Sequence, residues 1–164
     1  MIKEGTKAPD FTGKDQNGNK IKLSELKGQK VVLYFYPKDD TPGCTKEACS
    51  FRDGFAKFKR KGIKVLGVSV DDESSHQKFI EKYNLPFDLI ADTDKKIVQK
   101  YGVWGEKTLY GKKYMGTSRK TFLIDEDGKI VKIFDKVNVE QHADEVLAAF
   151  DEAKAAKKKE AAKK

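Results

Sequence analysis

Two apolar, β-branched runs limit what this chain can fold into: Val31-Val32-Leu33-Tyr34-Phe35-Tyr36 and Ile63-Lys64-Val65-Leu66-Gly67-Val68-Ser69-Val70. Both read as buried strands. Pro37 ends the first, because proline has no amide to give to a central ladder. Between the runs, Cys44, Ala48, Phe51, Phe55 and Phe58 follow the three-four spacing of one apolar helix face, and Lys61-Gly62 ends that helix. Strand, helix and strand in this order predict a βαβ unit with parallel strands.

The segment Thr41-Pro42-Gly43-Cys44-Thr45-Lys46-Glu47-Ala48-Cys49 holds both cysteines of the chain and opens the helix. Thr41 suits the N-cap, Pro42 then occupies the first helical position, and Cys44 is the third helical residue. Unpaired amides and the helix dipole favour an anion at that place, so Cys44 is expected to be a thiolate at neutral pH. Cys49 lies about 140° around the helix and roughly 7.5 Å along it. A disulfide needs Cα atoms within about 4.4–6.8 Å, so any Cys44–Cys49 bond requires the first turns to unwind. The plain alternative makes both cysteines small buried hydrophobes. A zinc site is disfavoured, since paired ligands usually stand two to four residues apart and two more are needed. The two histidines, His76 and His142, sit in separate helical stretches and read as solvated surface residues.

Outward from this unit, Asp15-Gln16-Asn17-Gly18-Asn19-Lys20 is a turn between Asp10-Phe11-Thr12 and Ile21-Lys22-Leu23, a predicted hairpin. Ser24 to Gly28 forms a short helical turn. A helix over about 73–83, a strand near 87–90 and a shorter helix over about 94–101 follow. Thr121–Asp125 and Lys129–Phe134 flank Glu126-Asp127-Gly128, a second hairpin, and a last helix carries Val139, Ala143, Val146, Leu147 and Phe150 on one face. A βαβ unit followed by a ββα unit, with a cysteine where the first helix starts, is an α/β, thioredoxin-like arrangement with an N-terminal hairpin extension. Residues 1–153 are expected to form this domain and 154–164 a Lys/Ala-rich tail. Gly105 to Ser118 is the longest expected loop, placed near the cysteine site.

At 164 residues the chain suits one domain. Of the net charge of +8, the tail contributes +5 through six lysines against Glu160. A basic tail can bind phosphates. Here alanines are interleaved and no aromatic is present to stack on bases, so a solvated, fraying helix end is favoured over a nucleic-acid site. No apolar run approaches the ~18–20 residues of a membrane span, and Met1 to Thr6 lacks the hydrophobic core of a secretion signal. The expected compartment is the cytoplasm, where two cysteines are more often catalytic or redox-sensing than a permanent staple.

Pro37-Lys38-Asp39-Asp40-Thr41-Pro42-Gly43-Cys44 carries the P-x-x-x-T-x-x-C pattern and so resembles the peroxiredoxins, thiol peroxidases on a thioredoxin-like fold. With Cys49, Gly102 to Lys107 and Arg119 to Asp125, the chain is similar to their peroxiredoxin Q branch, also called bacterioferritin comigratory protein, over roughly residues 3 to 150. The resemblance implies that Cys44 is the peroxidatic nucleophile and Cys49 the resolving thiol, with Pro37, Thr41 and Arg119 completing the peroxide site. It also implies an intramolecular Cys44–Cys49 disulfide and recycling by thioredoxin or a similar dithiol. No metal or organic cofactor is called for, and an internal resolving thiol makes a monomer sufficient. Each site residue has a plainer role beside it: Thr41 as an N-cap, Pro37 as a strand terminator, Arg119 as a loop cation. A thioredoxin-like disulfide reductase is disfavoured, because C-x-x-C is expected there and the spacing here is C-x-x-x-x-C.

Overall fold

The computed structural model describes residues 2–162; Met1 and two lysines of the basic tail, Lys163 and Lys164, lie outside the described residues. A hairpin of β1 (Thr12–Lys14) and β2 (Lys20–Lys22) is followed by one 3-10 turn at Leu23–Leu26. The chain continues as β3 (Lys30–Phe35), α1 (Pro42–Asp53), α2 (Phe55–Arg60), β4 (Ile63–Ser69), α3 (Glu73–Tyr83), β5 (Asp88–Ala91) and α4 (Lys96–Lys100). It ends with β6 (Trp104–Leu109), β7 (Lys112–Thr117), β8 (Lys120–Ile124), β9 (Ile130–Phe134) and α5 (His142–Ala162).

Five strands form the central sheet in the order β5-β4-β3-β8-β9. β3 runs parallel to β4, and β4 to β5, whereas β8 is antiparallel to both β3 and β9. This is the thioredoxin-like α/β fold. Alternation along β3 divides the core: Val32, Tyr34 and the following Tyr36 face α1, α2, α3 and α5, while Val31, Leu33 and Phe35 face α4 and the N-terminal segment. Burial on both faces is why the run has no polar residue after Lys30. Gly67 on β4 is required by this packing. A Cβ there would stand 2.8 Å from Cζ of Tyr34 and 2.7 Å from Leu89, and the Tyr34 ring in turn stacks on Phe51 of α1 at 4.8 Å.

Four sequence expectations need correction. The helix expected to run unbroken from Cys44 past Phe58 breaks at Gly54 into α1 and α2. A Cβ at Gly54 would lie 3.3 Å from that of Ala143, so the glycine lets α5 approach closely. Gly105 to Ser118 is not a loop but the antiparallel β6–β7 ribbon, closed by Tyr110 and Gly111, both at positive φ as a tight hairpin turn requires. The first hairpin pairs Thr12–Lys14 with Lys20–Lys22, so its first strand lies about two residues later than Asp10–Thr12. Val139 precedes the last helix, which starts at His142 and runs on through the basic segment to Ala162. Among the described residues, no helix is long and apolar enough to cross a membrane.

Candidate active site

Cys44 is the third residue of α1 and is 1% exposed. Pro42 occupies the first helical position, where its missing N–H leaves no carbonyl unpaired. Thr41 has the extended backbone of an N-cap, and its carbonyl accepts from the amide of Thr45 at 2.8 Å. Its side chain caps nothing. Oγ1 instead donates to the Lys38 carbonyl at 2.9 Å, so the role of side-chain cap considered from the sequence is corrected. Pro37 lies half-buried just beyond β3.

Arg119 stands in the two-residue connection between β7 and β8, and its guanidinium reaches across to α1. Nη2 donates to Cys44 Sγ at 3.2 Å and Nη1 donates to Glu47 Oε1 at 2.7 Å. One planar fork therefore spans two residues a helical turn apart, which a lysine cannot do. Gly43 leaves the approach open, since a Cβ there would be 3.1 Å from Nη2. Burial disfavours the charge on Arg119, but Glu47 and Cys44 outweigh it, and the guanidinium is held more firmly protonated than usual.

Glu47 is fully buried, and the sequence reading missed it. It lies three residues after Cys44, on the face that also carries Ala48 and Phe51, so a carboxyl inside the apolar stripe was the available signal. One of its oxygens takes Arg119, while Oε2 has no hydrogen-bond partner among the described residues and lies 4.0 Å from Nε2 of His142. Burial raises the proton affinity of Glu47 to a pKa of about 7 in spite of Arg119. The folded chain therefore binds an extra proton between the ordinary 4.5 and about 7. The stability this contributes is complete below pH 4.5 and is lost as pH rises through about 7. Denaturant unfolding across pH 4 to 8 checks this. Relative to Glu47→Gln, the wild type is expected to lose on the order of 3 kcal/mol over the range, and parallel profiles would contradict the assignment.

Lys107, from the ribbon, is the other residue that sequence reasoning did not single out. Its Nζ donates to the Thr117 carbonyl at 2.7 Å. Burial, then the nearby Arg119, lower its proton affinity, and Cys44 acts in the opposite sense. Arg119 thus contacts the sulfur directly, while Lys107 is tied to the ribbon's own backbone.

Cys49 lies half-buried on the same unbroken helix as Cys44, and both are free thiols. Burial raises the Cys49 pKa, with Arg52 opposing and Asp53 adding to the rise. The two histidines are not surface residues, as the sequence had suggested: both are completely buried. His142 lies 2.7 Å from Thr121 Oγ1 and 3.0 Å from Glu145 Oε1, and burial pushes its pKa down, so it is neutral near pH 7. His76 lies beneath the Pro37–Thr41 loop.

The chain is similar to known proteins over most of its length. The family model described as AhpC/TSA matches residues 5–133. The chain is 49% identical over 146 residues to peroxiredoxin Bcp of Bacillus subtilis, covering 89% of this chain and 93% of that protein. Among solved structures, the bacterioferritin comigratory protein of Xanthomonas campestris superposes with a TM-score of 0.82 at 38% identity, covering 87% of this chain and 91% of that one. PrxQ of Xylella fastidiosa gives 0.88 at 33% identity, covering 93% and 98%.

Proposed function

This chain belongs to the AhpC/TSA family and is a peroxiredoxin, and on that premise we propose that Cys44 attacks the peroxide, Cys49 resolves the product, and thioredoxin or a similar dithiol restores both thiols. The observation that carries this reading is the Arg119 guanidinium 3.2 Å from Cys44 Sγ at the start of a helix. A thiolate there is stabilised by the helix amides and by a fixed positive charge.

In the first step the Cys44 thiolate attacks the terminal oxygen of ROOH. An S–O bond forms as the O–O bond breaks, giving a sulfenic acid and an alkoxide, which takes a proton to leave as ROH; with hydrogen peroxide the product is water. Negative charge grows on the departing oxygen, and Arg119 is the group that meets it. Thr41 already donates its proton to Lys38, so its oxygen is left as an acceptor for the peroxide O–H. Pro37 shields the sulfur from water. The alkyl peroxide reduction described for the Xanthomonas campestris protein supports including organic hydroperoxides among the substrates.

In the second step Cys49 attacks the sulfenic sulfur, forming a disulfide and releasing water. Both residues lie on intact α1, so the first turns must open before the sulfurs meet. An external dithiol then exchanges with the disulfide and is itself oxidised, so the electrons come from thiols at every stage. One chain contains both cysteines, and a monomer suffices.

Cys49→Ser separates the steps. The variant is expected to consume one equivalent of peroxide at the wild-type rate and then stall as a sulfenic acid, losing thioredoxin-driven turnover. Unchanged turnover in a coupled thioredoxin assay would place resolution outside this chain's Cys49.

A further inference from the structure

A buried polar cluster lies under the loop that leads to Cys44. Asp39, at the centre of that loop, accepts three hydrogen bonds on its carboxylate: from Tyr36 Oη at 2.5 Å, from Ser75 Oγ at 2.8 Å and from His76 Nδ1 at 2.6 Å. Its own amide donates to Asp71 Oδ2 at 2.9 Å, an oxygen that also accepts from Ser69 Oγ at 2.7 Å. His76 Nε2 faces the Ile90 carbonyl at 2.9 Å, and a carbonyl can only accept. Nε2 therefore carries a proton, and an ionised Asp39 accepts a second from Nδ1. Burial pulls the His76 pKa down, but the hydrogen bond and charge of Asp39 and the Ile90 carbonyl overcome it, and the net shift is upward.

The cluster ties three elements together. Ser75 and His76 belong to α3, Ile90 to β5, and Asp39 to the segment that holds Pro37 and Thr41. The next residue, Asp40, stands at φ +56°, and its carboxylate takes Lys82 Nζ and Tyr83 Oη, both at 2.8 Å. Farther along, Arg52 Nη1 of α1 donates to the Tyr83 carbonyl at 2.8 Å. Helix α3 thus grips the loop on one side of Cys44 and α1 on the other. The contact with Asp39 is buried, where a charged hydrogen bond holds its partners most tightly.

We propose that His76 is a positioning residue: its hydrogen bond to Asp39 fixes the Pro37–Thr41 loop, and with it the start of α1, in the arrangement in which Cys44 reacts with peroxide. The proposal rests on the reading of Cys44 as the attacking thiolate. Neither His76 nor Asp39 touches the reacting atoms. Their effect is on alignment, to which displacement reactions are steeply sensitive.

Two substitutions of His76 distinguish positioning from mere filling of space. The amide nitrogen of asparagine lies where Nδ1 is and that of glutamine where Nε2 is, so His76→Asn keeps the donor to Asp39 and His76→Gln keeps only the donor to Ile90. Both are expected to lower the melting temperature to a similar extent. The readout is the second-order rate of Cys44 thiol loss with hydrogen peroxide, measured below the melting transition of each variant. His76→Gln is expected to fall about tenfold or more while His76→Asn stays within roughly threefold of wild type. Equal rates in the two variants, whether high or low, would overturn the proposal. Should either fail to fold, Asp39→Asn, which turns an acceptor oxygen into a competing donor, is expected to show the same loss, and a wild-type rate there would overturn it. A wild-type chain inert to peroxide would remove the reading of Cys44, and the clamp with it.

Discussion

Cys44→Ser is expected to abolish peroxide consumption, leaving only the background rate of the assay. The reaction needs an ionised, polarisable sulfur to attack an O–O bond, and a serine hydroxyl is neither ionised near pH 7 nor able to carry the oxygen away as a sulfenic acid. The substitution is nearly isosteric, and the ion pair between Arg119 and Glu47 does not depend on the sulfur. Stability should therefore change far less than activity, and thermal unfolding measured beside peroxide consumption tests both parts. Retained turnover would mean that another group is the nucleophile.

Arg119→Met is expected to slow the peroxide reaction by about 10²–10³-fold, the usual effect of removing one charge-stabilising donor from a reacting centre. Two contacts are lost together, the one to Cys44 Sγ and the one to Glu47 Oε1. Glu47 is then buried without its cation, and since burial already raises its pKa to about 7, the carboxyl takes up a proton rather than remaining an unpaired charge. Folding should survive while the rate collapses. Arg119→Lys should recover part of the rate, because it restores the charge without the fork that spans both partners. Stopped-flow thiol loss at several peroxide concentrations measures the effect, and an unaltered rate constant would remove Arg119 from the reacting site.

The parts of this fold that could be read from the sequence are those whose partners lie nearby in the chain or whose pattern is dictated by burial. The β3 and β4 runs are apolar on both faces, and the start of α1 is marked by Thr41 and Pro42, so strand, helix and the place of Cys44 were all accessible. The break at Gly54 was not, because Phe55 and Phe58 continue the spacing of Ala48 and Phe51 and the reason for the break is Ala143 on a distant helix. The β6–β7 ribbon was hidden for another reason. It is a two-stranded element lying mostly in solvent, with Leu109, Tyr110, Tyr114 and Met115 exposed, so no buried face imposes alternation on its sequence.

The site divides in the same way. Cys44, Thr41 and Pro37 form one local motif, but Glu47 draws its meaning from Arg119, 72 positions away. Burial of the histidines depends on contacts equally remote: His76 meets Asp39, 37 positions earlier, and His142 meets Thr121, 21 positions earlier. Spacing along a helix says which residues share a face, but not what will be packed against that face.

The most direct measurement is a thiol count with disulfide peptide mapping, after one equivalent of hydrogen peroxide is added to the fully reduced protein at neutral pH. The account predicts rapid loss of both thiols and recovery of a peptide linking Cys44 to Cys49. Two surviving thiols beside unconsumed peroxide would contradict it.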